Sequence, residues 1–264
     1  MKTIYHFSGA GNDFVVIDGR EGDVSAFREV PRIEALCQEY KTDGLMILGS
    51  GDAEVDFTME FYNPDGSGGM MCGNGGRCIV AFADYLGIRP SSGGVFLFMA
   101  PDGLHTGVIL ERPADDLWTV RIKMIDVQGI TPMLGGYFLN TGTRHFVKFV
   151  DDVEQVDVDT EGKALRWNEA FAPIGTNVNF VHVAPDGLHV RTFEKGVEGE
   201  TLACGTGLTA CALVAHHAGV PTATPGAYRL RARQDWLSVN FTPGADEKFT
   251  DVYLTGPARL VEIR

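Results

Sequence analysis

The chain has 264 residues, 44% of them hydrophobic and 22% charged, the composition of an ordinary folded protein and not of a disordered one. Its formal charge of −13 argues against nucleic acid or an anionic membrane as partner, and no apolar run nears the ~18 residues of a membrane-spanning helix. The start of the chain lacks the apolar stretch and cleavage site of a signal peptide, so a cytoplasmic location is expected, and five cysteines in a reducing compartment predict thiols, not a disulfide framework.

Along the chain, Gly9-Ala10-Gly11-Asn12-Asp13-Phe14 looks at first like a dinucleotide loop. It lacks the third glycine and leads into a strand-like run at 14–17 instead of a helix, so it fails that test. A surface helix is predicted from Pro31, because Ile33, Leu36, Cys37 and Tyr40 recur at helical spacing. A strand at 55–62 precedes a helix at 75–86 that ends at Gly87, a residue suited to the left-handed conformation of a helix stop. Strands are predicted at 95–99, 118–125, 145–150, 178–183, 228–233, 236–241 and 252–254, and a second helix at 206–218 ends at Gly219. Asp102-Gly103 and Asp186-Gly187 should turn hairpins; the string Pro-Asp-Gly-Leu-His around each is turn chemistry and not a repeat.

A true repeat exists elsewhere. Cys72-Gly73-Asn74-Gly75 returns as Cys204-Gly205-Thr206-Gly207, an offset of half the chain, and Ala83, Gly87 and Ile88 are matched at that offset by Ala215, Gly219 and Val220. Both helices are apolar or small on nearly every side, so each must be enclosed by its own domain. The expected fold is therefore α+β, a duplicated one in which each half wraps a sheet around its central helix. The crossover is placed after the charged turn at 112–116, giving domains 1–117 and 118–249.

Each copy sets one thiol at the start of its helix. Free backbone N–H groups and a partial positive charge favour an anion there, which eases thiolate formation, while apolar surroundings oppose it. If both helix ends serve one cleft, a substrate carboxylate could take N–H bonds from each and hold its α-carbon between two sulfurs. For a single cysteine, a buried helix cap is the ordinary role. Packing alone, however, does not require the thiol in both copies. Cys78 and Cys211 lie inside the enclosed helices and read as packing residues. The Cys-x5-Cys and Cys-x6-Cys spacings do not suit zinc, and no metal is expected. Asn12, Asn63, Asn177, Asn179 and His145 could each serve a ligand or merely shape a turn.

Together, Gly9-Ala10-Gly11-Asn12-Asp13-Phe14, Asn63-Pro64-Asp65-Gly66-Ser67, Met71-Cys72-Gly73-Asn74-Gly75-Gly76-Arg77-Cys78, Asn177-Val178-Asn179-Phe180 and Gly199-Glu200-Thr201-Leu202-Ala203-Cys204-Gly205-Thr206-Gly207 resemble the diaminopimelate epimerase family. The resemblance implies a cofactor-free epimerase of two similar, pseudo-symmetric domains, each a barrel-like mixed sheet wrapped around a central helix, with the segment from about 250 to 264 returning to the first. It implies interconversion of LL- and meso-diaminopimelate, a small-molecule amino-acid substrate, by Cys72 and Cys204; a homodimer stays open. It further implies that Gly73, Asn74, Gly205 and Thr206 hold the reacting carboxylate and that Asn12, Asn63, Asn177 and Glu194 bind substrate beside a supporting His145.

Three positions depart from the family pattern. Lys195 follows Glu194 where an arginine is usual, exchanging a planar fork for a single ammonium. Thr143 stands where the family has an asparagine, and Gly68 follows Ser67 in place of glutamate. Lys195 and Thr143 bear on recognition of the distal carboxylate, for which Arg144 could compensate. The alternatives are a racemase of another amino acid, such as proline or hydroxyproline, and a binding protein without turnover.

Overall fold

The structure, a computed structural model, describes residues 2–69, 71–91 and 93–264. Its chain divides into two compact units, Met1–Ile122 with Gly256–Arg264, and Lys123–Thr255.

The first unit contains β1 (Ile4–Gly9), β2 (Asn12–Asp18), α1 (Val30–Tyr40), β3 (Gly44–Ser50), β4 (Phe57–Tyr62), α2 (Gly73–Tyr85), β5 (Val95–Ala100), β6 (Gly103–Ala114) and β7 (Leu117–Lys123). Consecutive strands pair from β1 through β7, antiparallel except for β2 with β3 and β4 with β5. Those two parallel steps are the ones bridged by helices, as a parallel crossover requires. In the second unit come β8 (Val127–Gln128), β9 (Thr131–Met133), β10 (Gly136–Asn140), β11 (Arg144–Phe149), α3 (Val158–Arg166), β12 (Asn177–Ala184), β13 (Gly187–Glu194), β14 (Gly199–Thr201), α4 (Gly205–His217), β15 (Ala227–Arg231), β16 (Trp236–Pro243) and β17 (Lys248–Ile263). The pairing repeats: β10–β11 antiparallel, β11–β12 parallel, β12–β13 antiparallel, β13–β15 parallel, β15–β16 and β16–β17 antiparallel.

Each barrel is closed by a strand from the far end of the repeat. The second half of β17 pairs with both β7 and β1, sealing the first unit as an eight-stranded ring. In the second, β8 pairs with the first half of β17 while β9 pairs with β10, so the segment 127–133 fills the same place. Each copy's last strand therefore closes the other copy's barrel. The turn at 112–116, where the sequence suggested a crossover, instead joins β6 to β7, with Ala114 opposite Leu117. The chain passes on after Ile122 and returns at Gly256.

Inside each barrel sits one helix. From Gly73 to Ala83 every residue of α2 is buried, and it touches β1, β2, β3 and β6. α4 is buried at Gly205 and from Gly207 to Ala215, against β10–β13, β15 and β16. Both stop on the expected glycine. Gly87 (φ 76°) and Gly219 (φ 73°) donate to Asp84 and His216, while Ile88 and Val220 donate to Ala83 and Ala215, the paired bonds of a Schellman cap. Outside the first barrel, α1 lays Ile33, Leu36 and Cys37 on Val15, Ile17, Leu45 and Ile47. Because side chains alternate along a strand, Met46 points inward, and its sulfur borders the space beside Gly75.

The hairpins at 102–103 and 186–187 form with Pro-Asp as the two loop residues, since Ala100 pairs with Gly103 and Ala184 with Gly187. Gly103 (φ 128°) and Gly187 (φ 143°) begin the returning strands, the ordinary place for glycine after a Pro-initiated turn.

Candidate active site

In the first unit Cys72 is the N-cap of α2, with extended backbone (φ −100°, ψ 151°) and its sulfur accepting the Gly75 N–H at 3.2 Å. The first N–H groups of a helix have no partner within it; of those that open α2, the Gly75 N–H is taken by the Cys72 sulfur. The β1–β2 hairpin folds over this turn. Ala10 and Gly11, both at positive φ, form its two-residue loop, and Gly9 lies so close that a Cβ there would sit 2.8 Å from the Asn74 carbonyl. The Asn74 amide donates to Asn12 Oδ1.

Arg77, fully buried one turn along α2, fixes the arrangement. Its guanidinium donates to Asn74 Oδ1 at 2.9 Å, to the Gly73 carbonyl at 3.1 Å and to the Pro257 carbonyl of β17 at 3.2 Å. Asn63 follows β4 at the same rim, because Tyr62 pairs with Leu45 beside the start of β3. Its side chain donates to Ser67 Oγ at 3.0 Å, and its backbone closes the 63–67 turn.

In the second unit Cys204 is the N-cap of α4 and 7% exposed. Here the hairpin contact is made by hydroxyls and an imidazole. Thr206 Oγ1 lies 3.0 Å from His145 Nε2, 3.1 Å from Thr143 Oγ1 and 3.5 Å from Cys204 Sγ, and the Thr206 carbonyl accepts from Thr141 Oγ1 at 2.9 Å. Thr143 Oγ1 is also 2.9 Å from His145 Nε2. His145 is fully buried, and burial alone pulls its pKa down to about 3, so the ring is neutral. Asn177, opposite His145 in the parallel β11–β12 pair, donates to the Arg144 carbonyl at 2.9 Å and accepts the Lys195 N–H at 2.8 Å. It thereby ties the end of β13 to β11. Glu194 accepts from Thr201 Oγ1 at 3.0 Å across the β13–β14 hairpin, and Lys195 is exposed just beyond it.

Each thiol is thus assembled with its helix end and the hairpin before it. Arg144 donates to the Phe171 carbonyl at 3.3 Å and its guanidinium lies 5.1 Å over the Phe138 ring. Two arrangements escaped the sequence reading. Arg77 was visible only as a lone charge in a helix otherwise apolar or small, and Asn179 as one of several asparagines with no mark of its role. Cys78 and Cys211 are wholly enclosed, and burial pushes both thiols up, in keeping with packing roles.

Comparison with known proteins places this architecture. The fold is similar to a phenazine biosynthesis protein of the PhzF family from Bacillus anthracis (TM-score 0.78, 10% identity, 100% of this chain and 98% of that one). It is also similar to a hydroxyproline epimerase from Agrobacterium vitis (TM-score 0.67, 16% identity, 100% and 91%). At these identities the likeness is one of fold, an α+β class of paired mixed barrels around central helices. Sequence narrows it. The family model for diaminopimelate epimerase matches residues 4–92 and 137–261. The chain is 40% identical to the diaminopimelate epimerase of Chlorobaculum tepidum over 96% of its length and 97% of the relative's, and 37% identical to that of Flavobacterium psychrophilum over 98% and 97%. The chain belongs to the diaminopimelate epimerase family and is an amino-acid isomerase.

Proposed function

We propose that the protein interconverts LL- and meso-diaminopimelate by proton transfer at one α-carbon, with Cys72 and Cys204 as the two acid–base groups, in the cytoplasm and in service of lysine and peptidoglycan synthesis. One sulfur, as thiolate, removes the α-proton; the other, as thiol, delivers a proton to the opposite face. Charge that builds on the carboxylate in the transition state is met by the N–H donors of Gly73, Asn74, Gly205 and Thr206 at the two helix starts. Asn12, Asn63, Asn177, Glu194 and Lys195 recognise the remainder of the substrate, and Thr143 and His145 support the second helix end. The observation that carries this reading is the duplicated thiol at the head of a buried helix, α2 and α4, within a chain of this family.

Incubation with LL-diaminopimelate and separation of stereoisomers by chiral chromatography tests it. Appearance of the meso form is expected, with L-proline and trans-4-hydroxyproline left unchanged. Inversion of proline but not of diaminopimelate would replace this substrate with the alternative.

A further inference from the structure

The hydrogen bonds behind Cys204 have a fixed direction that can be read from the far end. Thr192 Oγ1 donates to Asn179 Oδ1 at 3.0 Å, and Asn179 Nδ2 donates to the Phe146 carbonyl at 3.1 Å. A carbonyl only accepts, so it is the amide nitrogen that faces this way. The same nitrogen lies 3.1 Å from His145 Nδ1, which must accept. A neutral imidazole with its lone pair on Nδ1 carries its proton on Nε2. That proton faces the hydroxyls of Thr143 and Thr206, at 2.9 and 3.0 Å. With Nε2 donating, neither hydroxyl can give its proton to the ring; when Thr143 donates to Thr206 Oγ1, 3.1 Å away, the Thr206 hydroxyl proton turns toward Cys204 Sγ at 3.5 Å.

A second observation ties Asn179 to the same helix end. A Cβ on Gly207 would lie 2.4 Å from Asn179 Oδ1, so the last glycine of the Cys-Gly-Thr-Gly string is the surface on which this amide rests. In the first unit the corresponding Gly75 borders the Cys72 and Met46 sulfurs instead of an amide.

We infer that Asn179 is a positioning residue of the reaction: by holding His145 in the Nε2–H tautomer it makes the Thr206 hydroxyl a donor to the Cys204 sulfur. Asn179 itself touches no reacting atom. The bond it arranges is strongest when Cys204 is the thiolate, so it favours the form of Cys204 that acts as base. This inference rests on the function proposed above for Cys204.

The test is nitrogen NMR of the intact protein labelled at histidine, with His145 assigned by its loss in His145→Gln. In the wild type at neutral pH, Nδ1 should resonate as an unprotonated nitrogen and Nε2 as a protonated one. An Nδ1–H ring, or an imidazolium, would overturn the inference whatever any variant does. In Asn179→Asp the new carboxylate accepts from Nδ1, so the tautomer should invert and kcat fall on the order of tenfold, the loss of one hydrogen bond to the reacting sulfur, with KM little changed. Thr192→Val, which keeps the amide–histidine bond, should keep the wild-type tautomer and most of kcat. An inverted tautomer in Asn179→Asp with undiminished kcat would also overturn the inference. Because the tautomer is read without turnover, a wild type inactive on diaminopimelate would refute the substrate assignment separately.

Discussion

His145 supplies a pH dependence whose sign and size follow from its burial. The ring is fully enclosed, and its folded pKa of about 3 lies below the ordinary 6.5. As pH falls, the unfolded chain therefore takes up this proton first. The stability contributed by keeping the ring neutral is complete above the unfolded pKa and is lost progressively as pH drops toward the folded one. Linkage between those two values amounts to about 2 kcal/mol between roughly pH 7 and roughly pH 5. The perturbation that isolates it is His145→Gln, which cannot titrate. Urea unfolding of both proteins at the two pH values should show the variant losing about 2 kcal/mol less than the wild type on acidification, carboxylate contributions cancelling in the difference. Equal losses in the two proteins would refute a buried neutral histidine at this position.

Gly207→Ala places a Cβ 2.4 Å from Asn179 Oδ1 and should cost about 1–3 kcal/mol by overpacking, seen as a lower denaturation midpoint in urea, and should lower kcat by displacing the amide. Arg77→Gln strands the Gly73 and Pro257 carbonyls that the guanidinium holds; a loss on the order of 3 kcal/mol is expected, with faster hydrogen exchange along the part of β17 from Gly256 onward. Cys72→Ala and Cys204→Ala should each lower kcat by at least ~100-fold while the chain stays folded by circular dichroism; near-wild-type kcat in either would remove that thiol from the chemistry.

What the sequence disclosed depended on where each element's partners lie. α2 and α4 were legible to within two residues because each is small or apolar all round, ends at a glycine and occurs twice. β3 was not seen: Leu45 and Ile47 lie under α1 while Met46 and Leu48 face the interior, so the strand is buried on both sides and shows no alternation. α3 buries only Val158, Gly162 and Arg166 and lacks an apolar stripe, although the Asp157 cap, acidic first turn and basic last turn were there to be read. β17 runs for 16 residues through Gly256-Pro257 and serves both barrels, where the sequence suggested only 252–254. Its length is set by two sets of neighbours far away in the chain. At the site, the thiols and helix ends were legible because they repeat. Asn179 was indistinct because its role depends on a β11 carbonyl and a β13 hydroxyl.

The most direct test of two thiols working from opposite faces is the reaction in deuterated water. Starting from LL-diaminopimelate, the meso product formed early should carry deuterium at the inverted carbon while the recovered starting isomer carries none. Equal deuterium in both pools at early times would mean that one base exchanges with solvent on both faces, and the paired-thiol mechanism would be wrong.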